Sequence, residues 1–299
     1  MTQQPHWHLL GAGAIGCLYA GHLRSSGCDI SLIMRKGTQP ASLPIITEHG
    51  GIRSEQHVPI VTPNSDAPIS HLVITTKAYD VSEAVASIAH LLSEDSVVVL
   101  LVNGMGLAEQ LAADWPRLNI FCGTTTEGAY SLAPQHIQHT GRGKTCIGKQ
   151  GEKKPPPWFE QWSDAIDTCV WDSNIEAALW SKMAINCIIN PLTALHNCAN
   201  GELSQRPELI TQVTTLCGEV SKITRAAGFA AIAAALPQLV AGVIAATANN
   251  RSSMLQDVEK GRRTEIDYIT GFLLRVADQH GIDAPQNRAL LKSIKSHEC

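Results

Sequence analysis

Three residues on an otherwise apolar segment have the types and spacing to do chemistry. In "WSKMAINCIINPLTALHNCANGE", Trp180 to Glu202, Lys182, Asn186 and Asn190 recur at every fourth position. On a helix each is turned only about 40° from the one before, so they form one polar stripe. Met183, Ile185, Ile188 and Ile189 point elsewhere and can pack. Burying an ammonium and two amides without partners costs several kcal/mol. The stripe should therefore line a cleft and meet a polar ligand or water. The alternative is an exposed polar face with asparagine as a loop former, which the apolar flanks disfavour. Pro191 is expected to kink or break the helix just after the stripe, and Asn197 and Asn200-Gly201 add amides where the chain turns. Downstream, "NNRSSMLQDVEKGRRTEIDYITG" places Ser252, Ser253 and Glu265 beside a helical core segment. Either serine could simply cap a helix, and Glu265 could pair with Arg262 or Arg263. Spacing alone cannot bring Glu265 to Lys182.

A second kind of chemistry is written near the start. "GAGAIG" (Gly11, Ala12, Gly13, Ala14, Ile15, Gly16) matches G-x-G-x-x-G after a short apolar strand and at the opening of a helix. That context is the one in which the motif binds a dinucleotide. The first glycine makes the tight turn, the second lets backbone approach a pyrophosphate, and the third lets the helix pack on the sheet. The helix N-terminus then offers free N–H groups to the phosphates. An NAD enzyme carries an acid at the end of the second strand; here Arg35-Lys36 stands there, with no acid before Glu48. Arginine can hold a 2′-phosphate bidentately, so NADP(H) is the expected cofactor. Lys77 and Asn103 follow two further strands, at the ends where open α/β sheets bind ligands. Asn103 offers a donor and an acceptor to a nicotinamide ribose or substrate hydroxyl, or it caps the helix that starts near Met105.

The elements that must position these groups follow two patterns. Trp7 to Leu10, "DISLIMR", "HLVITTKA" and "SVVVLLVNG" read as buried strands, with helices at Ala14 to Ser25 and Val81 to Leu92. Near-continuous apolar strands alternating with helices imply a parallel doubly wound sheet. Thr124 to Lys149 is turn-rich, with antiparallel strands expected on the sheet edge and a hairpin near Gly141 and Gly143. A helix and a last strand near Thr168 to Trp171 complete the first domain. From Ile175 on only helical patterns occur, broken at Gly201, Pro207, Gly228, Pro237 and Gly281. The expectation is an α/β chain: a Rossmann-type doubly wound domain over 1–173, then an all-helical domain over 174–299.

The totals agree with such a chain. Its 299 residues suit about two domains, and 44% hydrophobic with 17% charged content is ordinary for a globular protein. A net charge of −4 supplies no global field for nucleic acid or an anionic membrane. The nine cysteines show neither a disulfide framework nor zinc spacing; Cys17, Cys187 and Cys217 read as core residues. No metal site is expected, and the pairs His6/His8 and His136/His139 read as solvated surface. The uncharged run Ala226 to Asn250 is alanine-rich and contains Pro237, so a packed pair of soluble helices is preferred to a membrane span. With no signal-peptide pattern at the start, the expected location is the cytoplasm.

Taken together, "GAGAIG" with Arg35, "TTKAYDV", "NGMG", "LWSKMAINCIINPLTALHNCANGEL" and "NNRSSMLQDVEKGRRTEIDYITGFL" resemble the ketopantoate reductase (2-dehydropantoate 2-reductase) family over nearly the whole length. The last two segments are far more specific than the glycine motif. The resemblance implies an NADPH domain, a helical substrate domain and an active site in the cleft between. It implies reduction of 2-dehydropantoate to pantoate, on the route to pantothenate and coenzyme A. Lys182 would be the general acid and Glu265 the second catalytic residue. Asn186, Asn190 and Ser253 would hold the substrate, with Asn200 and Asn250 also at polar site positions. Lys77 and Asn103 would line the cofactor–substrate junction, and Arg35 would meet the 2′-phosphate. The alanine-rich segment departs from the family pattern, touching no catalytic motif. Two other readings stand: another NADP-dependent hydroxyacid dehydrogenase of this plan, or an NADPH-sensing regulator without catalysis. Monomer and homodimer are both compatible with the sequence.

Overall fold

The computed structural model describes residues 5–35 and 40–298. They divide into two compact units. The first holds the chain up to Val102 and Leu107–Ile175; the second holds Asn103–Gly106 and everything from Glu176.

The first unit is built on one long twisted sheet. Its elements run β1 (Trp7–Leu10), α1 (Ala14–Ser25), β2 (Ile30–Ile33), β3 (Ser42–His49), β4 (Ile52–Val61), β5 (Ile69–Ile74), α2 (Val81–Ile88), β6 (Leu92–Leu100), α3 (Leu107–Asp114), β7 (Asn119–Thr125), β8 (Gly128–Ala133), β9 (His136–Gly141), β10 (Thr145–Gly148), α4 (Phe159–Ala165) and β11 (Cys169–Trp171). The sheet order is β11-β10-β7-β6-β5-β1-β2-β4-β3-β9-β8. β1 is the switch point: the chain goes to β2 on one side of it and later to β5 on the other, all parallel. Leu10 is level with Ile33 and Ile74, and Ile74 with Leu100. The carboxyl ends that precede Gly11, Arg35 and Lys77 therefore lie in one row, where such sheets hold ligands. The strands are buried on both faces, which explains their unbroken apolar runs.

The β3–β4 hairpin has no counterpart in the sequence reading, because its residues are half-buried and mixed in polarity. The turn of the late hairpin lies between β8 and β9 at Gln135, φ +57°, and not at Gly141–Gly143. Those glycines instead lead from β9, which pairs with β3, to β10, which pairs with β7. The histidine pairs are not simply solvated: His8 and His139 are each only 5% exposed. His139 Nε2 lies 2.6 Å from Glu127 and His136 Nε2 2.8 Å from Glu48, while His6 faces Asp29 at 3.3 Å. These carboxylates are distant in sequence, so the pairs were invisible before folding. Burial pulls the His8 pKa down to about 4.

The second unit is helical: α5 (Ile175–His196), α6 (Pro207–Ala226), α7 (Ala230–Ala246), α8 (Ser253–Glu259), α9 (Thr270–Gln279) and α10 (Pro285–Lys295). α5 does not end at Pro191 but continues to His196. The alanine-rich run is one helix through Pro237, not a pair. In both helices packing outweighs the lost N–H: Leu192, Leu236 and Val240 are fully buried in the core. Cys187 and Cys217 lie in that core and Cys17 in the other; burial raises the Cys17 thiol to about 12 and Cys217 to about 11. Among the described residues no helix is long and apolar enough to cross a membrane.

Candidate active site

The candidate residues gather in two places, one in each unit. In the first unit, Gly11 turns the chain at φ +112°. A Cβ on Gly11 would lie 2.5 Å from Thr76 N, and one on Gly16 would lie 2.1 Å from Gly11 O. Gly13 differs, since nothing lies within 4 Å of a Cβ built there. Two glycines thus close the loop onto the sheet, and the middle one leaves open space over the backbone, as a pyrophosphate requires. Thr75 Oγ1 pins the loop by donating to Gly11 O at 2.7 Å. Ala12, Ala14 and Ile15 are half-buried around it. The first turn of α1 holds no acid, so nothing offsets the partial positive charge of the helix N-terminus. Arg35 is exposed just past β2 and Lys77 half-buried past β5; Lys36 lies outside the described residues. This set fits a dinucleotide.

In the second unit, α5 carries Lys182, Asn186 and Asn190 on successive turns. Asn190 is buried and the other two half-buried, while Met183, Ala184, Cys187 and Ile188 fill the core behind them. Lys182 keeps some accessible surface, yet so much protein surrounds its amine that burial pulls the pKa down to about 8; the nearby Glu265 carboxylate pulls it back up. Desolvation is the larger effect, as expected for an ammonium removed from water.

Glu265 is 5% exposed and sits in a turn before α9. Its carbonyl accepts from Tyr268 N and Ile269 N at 3.0 and 3.1 Å. Beside it, the Thr264 N–H and hydroxyl both donate to Glu298, at 2.9 and 2.6 Å. Arg262 pairs with Asp257 and Arg263 with Asp267. Asn103 Nδ2 donates to Glu265 Oε2 at 3.3 Å. Gly104 makes this possible: φ is +89°, and a Cβ would stand 2.6 Å from both Cβ and O of Tyr268. Met105 N donates to the same Tyr268 carbonyl at 3.0 Å. Asn103, expected beside a nicotinamide ribose or substrate hydroxyl or as a helix cap, joins its amide to Glu265.

The remaining candidates lie on linked turns. Asn200 is buried; its Nδ2 donates to Thr247 Oγ1 at 2.8 Å, and its Oδ1 is buried without a hydrogen-bond partner. The Asn200 N–H donates to the carbonyl of Asn250 at 3.0 Å, whose side chain is exposed. Ser252, not Ser253, caps α8, its Oγ accepting from Leu255 N at 3.1 Å. Ser253 is thereby left exposed at the first helical position. Among the described residues no cluster of three His, Cys, Asp or Glu side chains could hold a metal ion. An apolar groove of about 480 Å³ between α6 and α7, lined by Ile210, Val213, Pro237 and Val240 among others, contains none of the candidates.

The family model for ketopantoate reductase PanE/ApbA matches residues 7–152, and that for its C-terminal part matches 174–298. A 2-dehydropantoate 2-reductase of Vibrio cholerae serotype O1 is 37% identical over 97% of this chain and 97% of its own. The chain belongs to the ketopantoate reductase family. Its fold is that of a solved PanE/ApbA family ketopantoate reductase from Ralstonia eutropha JMP134: TM-score 0.86, 23% identity, 98% of each chain covered. A D-mandelate dehydrogenase solved with NADH and anilino(oxo)acetate shares it too, with TM-score 0.87 at 22% identity over 98% of each chain. At such identity the likeness is one of fold. One feature of the candidate site had no advance signal in residue type or spacing: the bond from Asn103 to Glu265.

Proposed function

We propose that this protein reduces the ketone of 2-dehydropantoate to pantoate with NADPH, residues 1–173 serving the cofactor and residues 174–299 the substrate. When bound, the cofactor supplies the hydride. The observation that carries the reading is the Lys182 amine, brought to about 8 by burial and faced by Glu265. Near neutral pH such an amine is largely protonated, yet releases its proton far more readily than an ordinary lysine. It can therefore stabilise charge developing on a carbonyl oxygen and deliver the proton that completes the alcohol. Glu265 keeps the amine charged, and Asn103 holds the carboxylate in place through one of its oxygens.

Asn186, Asn190 and Ser253 offer amide and hydroxyl groups to the substrate carboxylate and hydroxyl. Asn200 adds a buried Oδ1 that lacks a donor, suited to accepting from a hydroxyl. The protein is net acidic and both ligands are anions, so Arg35, Lys77 and Lys182 must provide the local positive field. Arg35 would meet the 2′-phosphate, which favours NADPH over NADH. Titration of both cofactors against wild type and Arg35→Ala tests this. The expected result is at least tenfold weaker NADPH binding with NADH unchanged; equal loss for both would contradict it.

A further inference from the structure

Thr193 lies on α5 three residues beyond Asn190 and is fully buried. Its Oγ1 stands 2.9 Å from Ile189 O, 3.0 Å from Asn190 O and 2.7 Å from Ser252 Oγ. Ser252 is itself buried and accepts from Leu255 N at the start of α8. A hydroxyl has one proton and a carbonyl only accepts. Thr193 donates to Ser252 Oγ and shares its one proton with the α5 carbonyls of Ile189 and Asn190. Ser252 Oγ therefore gathers donors from both α5 and the first turn of α8. Two further ties fix the same segment: Arg251 donates to Asn197 Oδ1 at 2.8 Å, and the Asn250 carbonyl accepts from Asn200 N. Asn197 and Arg251 lie at the surface, whereas Thr193 and Ser252 are both buried.

The hydroxyl pair joins two groups of residues that the proposed function places on the substrate. Asn186 and Asn190 belong to α5; Ser253 follows Ser252 directly at the start of α8. We propose that Thr193 is a positioning residue for the reduction, its hydroxyl coupling with that of Ser252 to hold Ser253 in register with Asn190. The inference rests on the 2-dehydropantoate reading. Neither hydroxyl needs to touch the substrate. Their joint effect is to set the spacing between two substrate-holding groups, which acts on binding before it acts on chemistry.

The experiment is steady-state kinetics with NADPH and 2-dehydropantoate for wild type, Thr193→Val, Thr193→Ser, Ser252→Ala and the Val/Ala double variant, with melting temperature and NADPH affinity measured alongside. Thr193→Val should raise KM about fivefold to tenfold, the size of one lost buried hydrogen bond, with a smaller change in kcat and unchanged NADPH affinity. Thr193→Ser restores the hydroxyl and should return KM to within about twofold of wild type, even if lost packing lowers the melting temperature. Ser252→Ala should raise KM similarly, and the double variant should do little more than either single one, because both delete one coupled pair. If Thr193→Val does not fold, Ser252→Ala and Thr193→Ser carry the same comparison. An active wild type whose KM is unmoved by these changes, or a double variant whose effects simply multiply, overturns the role of Thr193 alone. A wild type that does not turn over 2-dehydropantoate overturns the functional reading and this inference with it.

Discussion

Replacing Glu265 with glutamine should move the alkaline limb of the pH–rate profile. Lys182 is held at about 8 by two opposed influences: burial lowers the amine and the Glu265 carboxylate raises it. As proton donor, Lys182 must be charged, so kcat should be level below pH 8 and fall tenfold for each unit above it. Glu265→Gln keeps the shape and a polar group facing Asn103 Nδ2 but removes the charge. Burial then acts unopposed, and the limb should shift to lower pH by roughly one unit, the lower end of what a nearby opposite charge contributes. The assay is NADPH oxidation at saturating 2-dehydropantoate across pH 6 to 10 (a range set by the ordinary lysine value of about 10.4). The height of the profile can also fall, because Glu265 has other work; the position of the limb is the diagnostic quantity. A limb that stays in place in Glu265→Gln, or a wild-type profile that remains level well above pH 9, would refute this account of the pair.

Other perturbations reach the same framework from different sides. Gly104→Ala puts a Cβ 2.6 Å from Tyr268 in a left-handed backbone; it should displace Asn103 and lower kcat about tenfold or more, with NADPH affinity retained as the check. Glu219 on α6 is buried and accepts from Gln286 N, Asn287 N and Asn287 Nδ2 at 2.9, 3.0 and 2.8 Å. Glu219→Ala strands these donors at the start of α10 and should cost about 2–4 kcal/mol in denaturant unfolding, given 1–3 kcal/mol for one unsatisfied buried group.

The legible parts of the fold were those in which local pattern and tertiary environment agree. β1 and the carboxyl-terminal halves of β5 and β6 are buried on both faces, so their apolar runs announced them. The glycine loop announced itself because Gly11 and Gly16 are demanded by close backbone contact and not by propensity. The β3–β4 hairpin was silent because half-buried strands carry mixed residues and short-range order alone cannot pick them out. Pro191 and Pro237 misled because a helix packed into a core tolerates a missing N–H that an isolated helix would not. His139 misled because its carboxylate comes from Glu127, on another strand connection. In the site, the stripe on α5 could be derived from helix geometry alone, since Lys182, Asn186 and Asn190 share one element. The approach of Glu265 and Asn103 could not: it depends on a turn before α9 and on the left-handed Gly104, and residue spacing records neither.

The most direct measurement is NADPH oxidation by the purified protein with 2-dehydropantoate, comparing wild type with Lys182→Ala and recording NADPH binding for both. The expected result is pantoate formed in step with NADPH consumed by the wild type. Lys182→Ala should turn over at least about a hundredfold more slowly, the contribution of a positioned acid, and bind NADPH as wild type does. No oxidation by the wild type, or near-normal turnover by Lys182→Ala, would contradict the central claim.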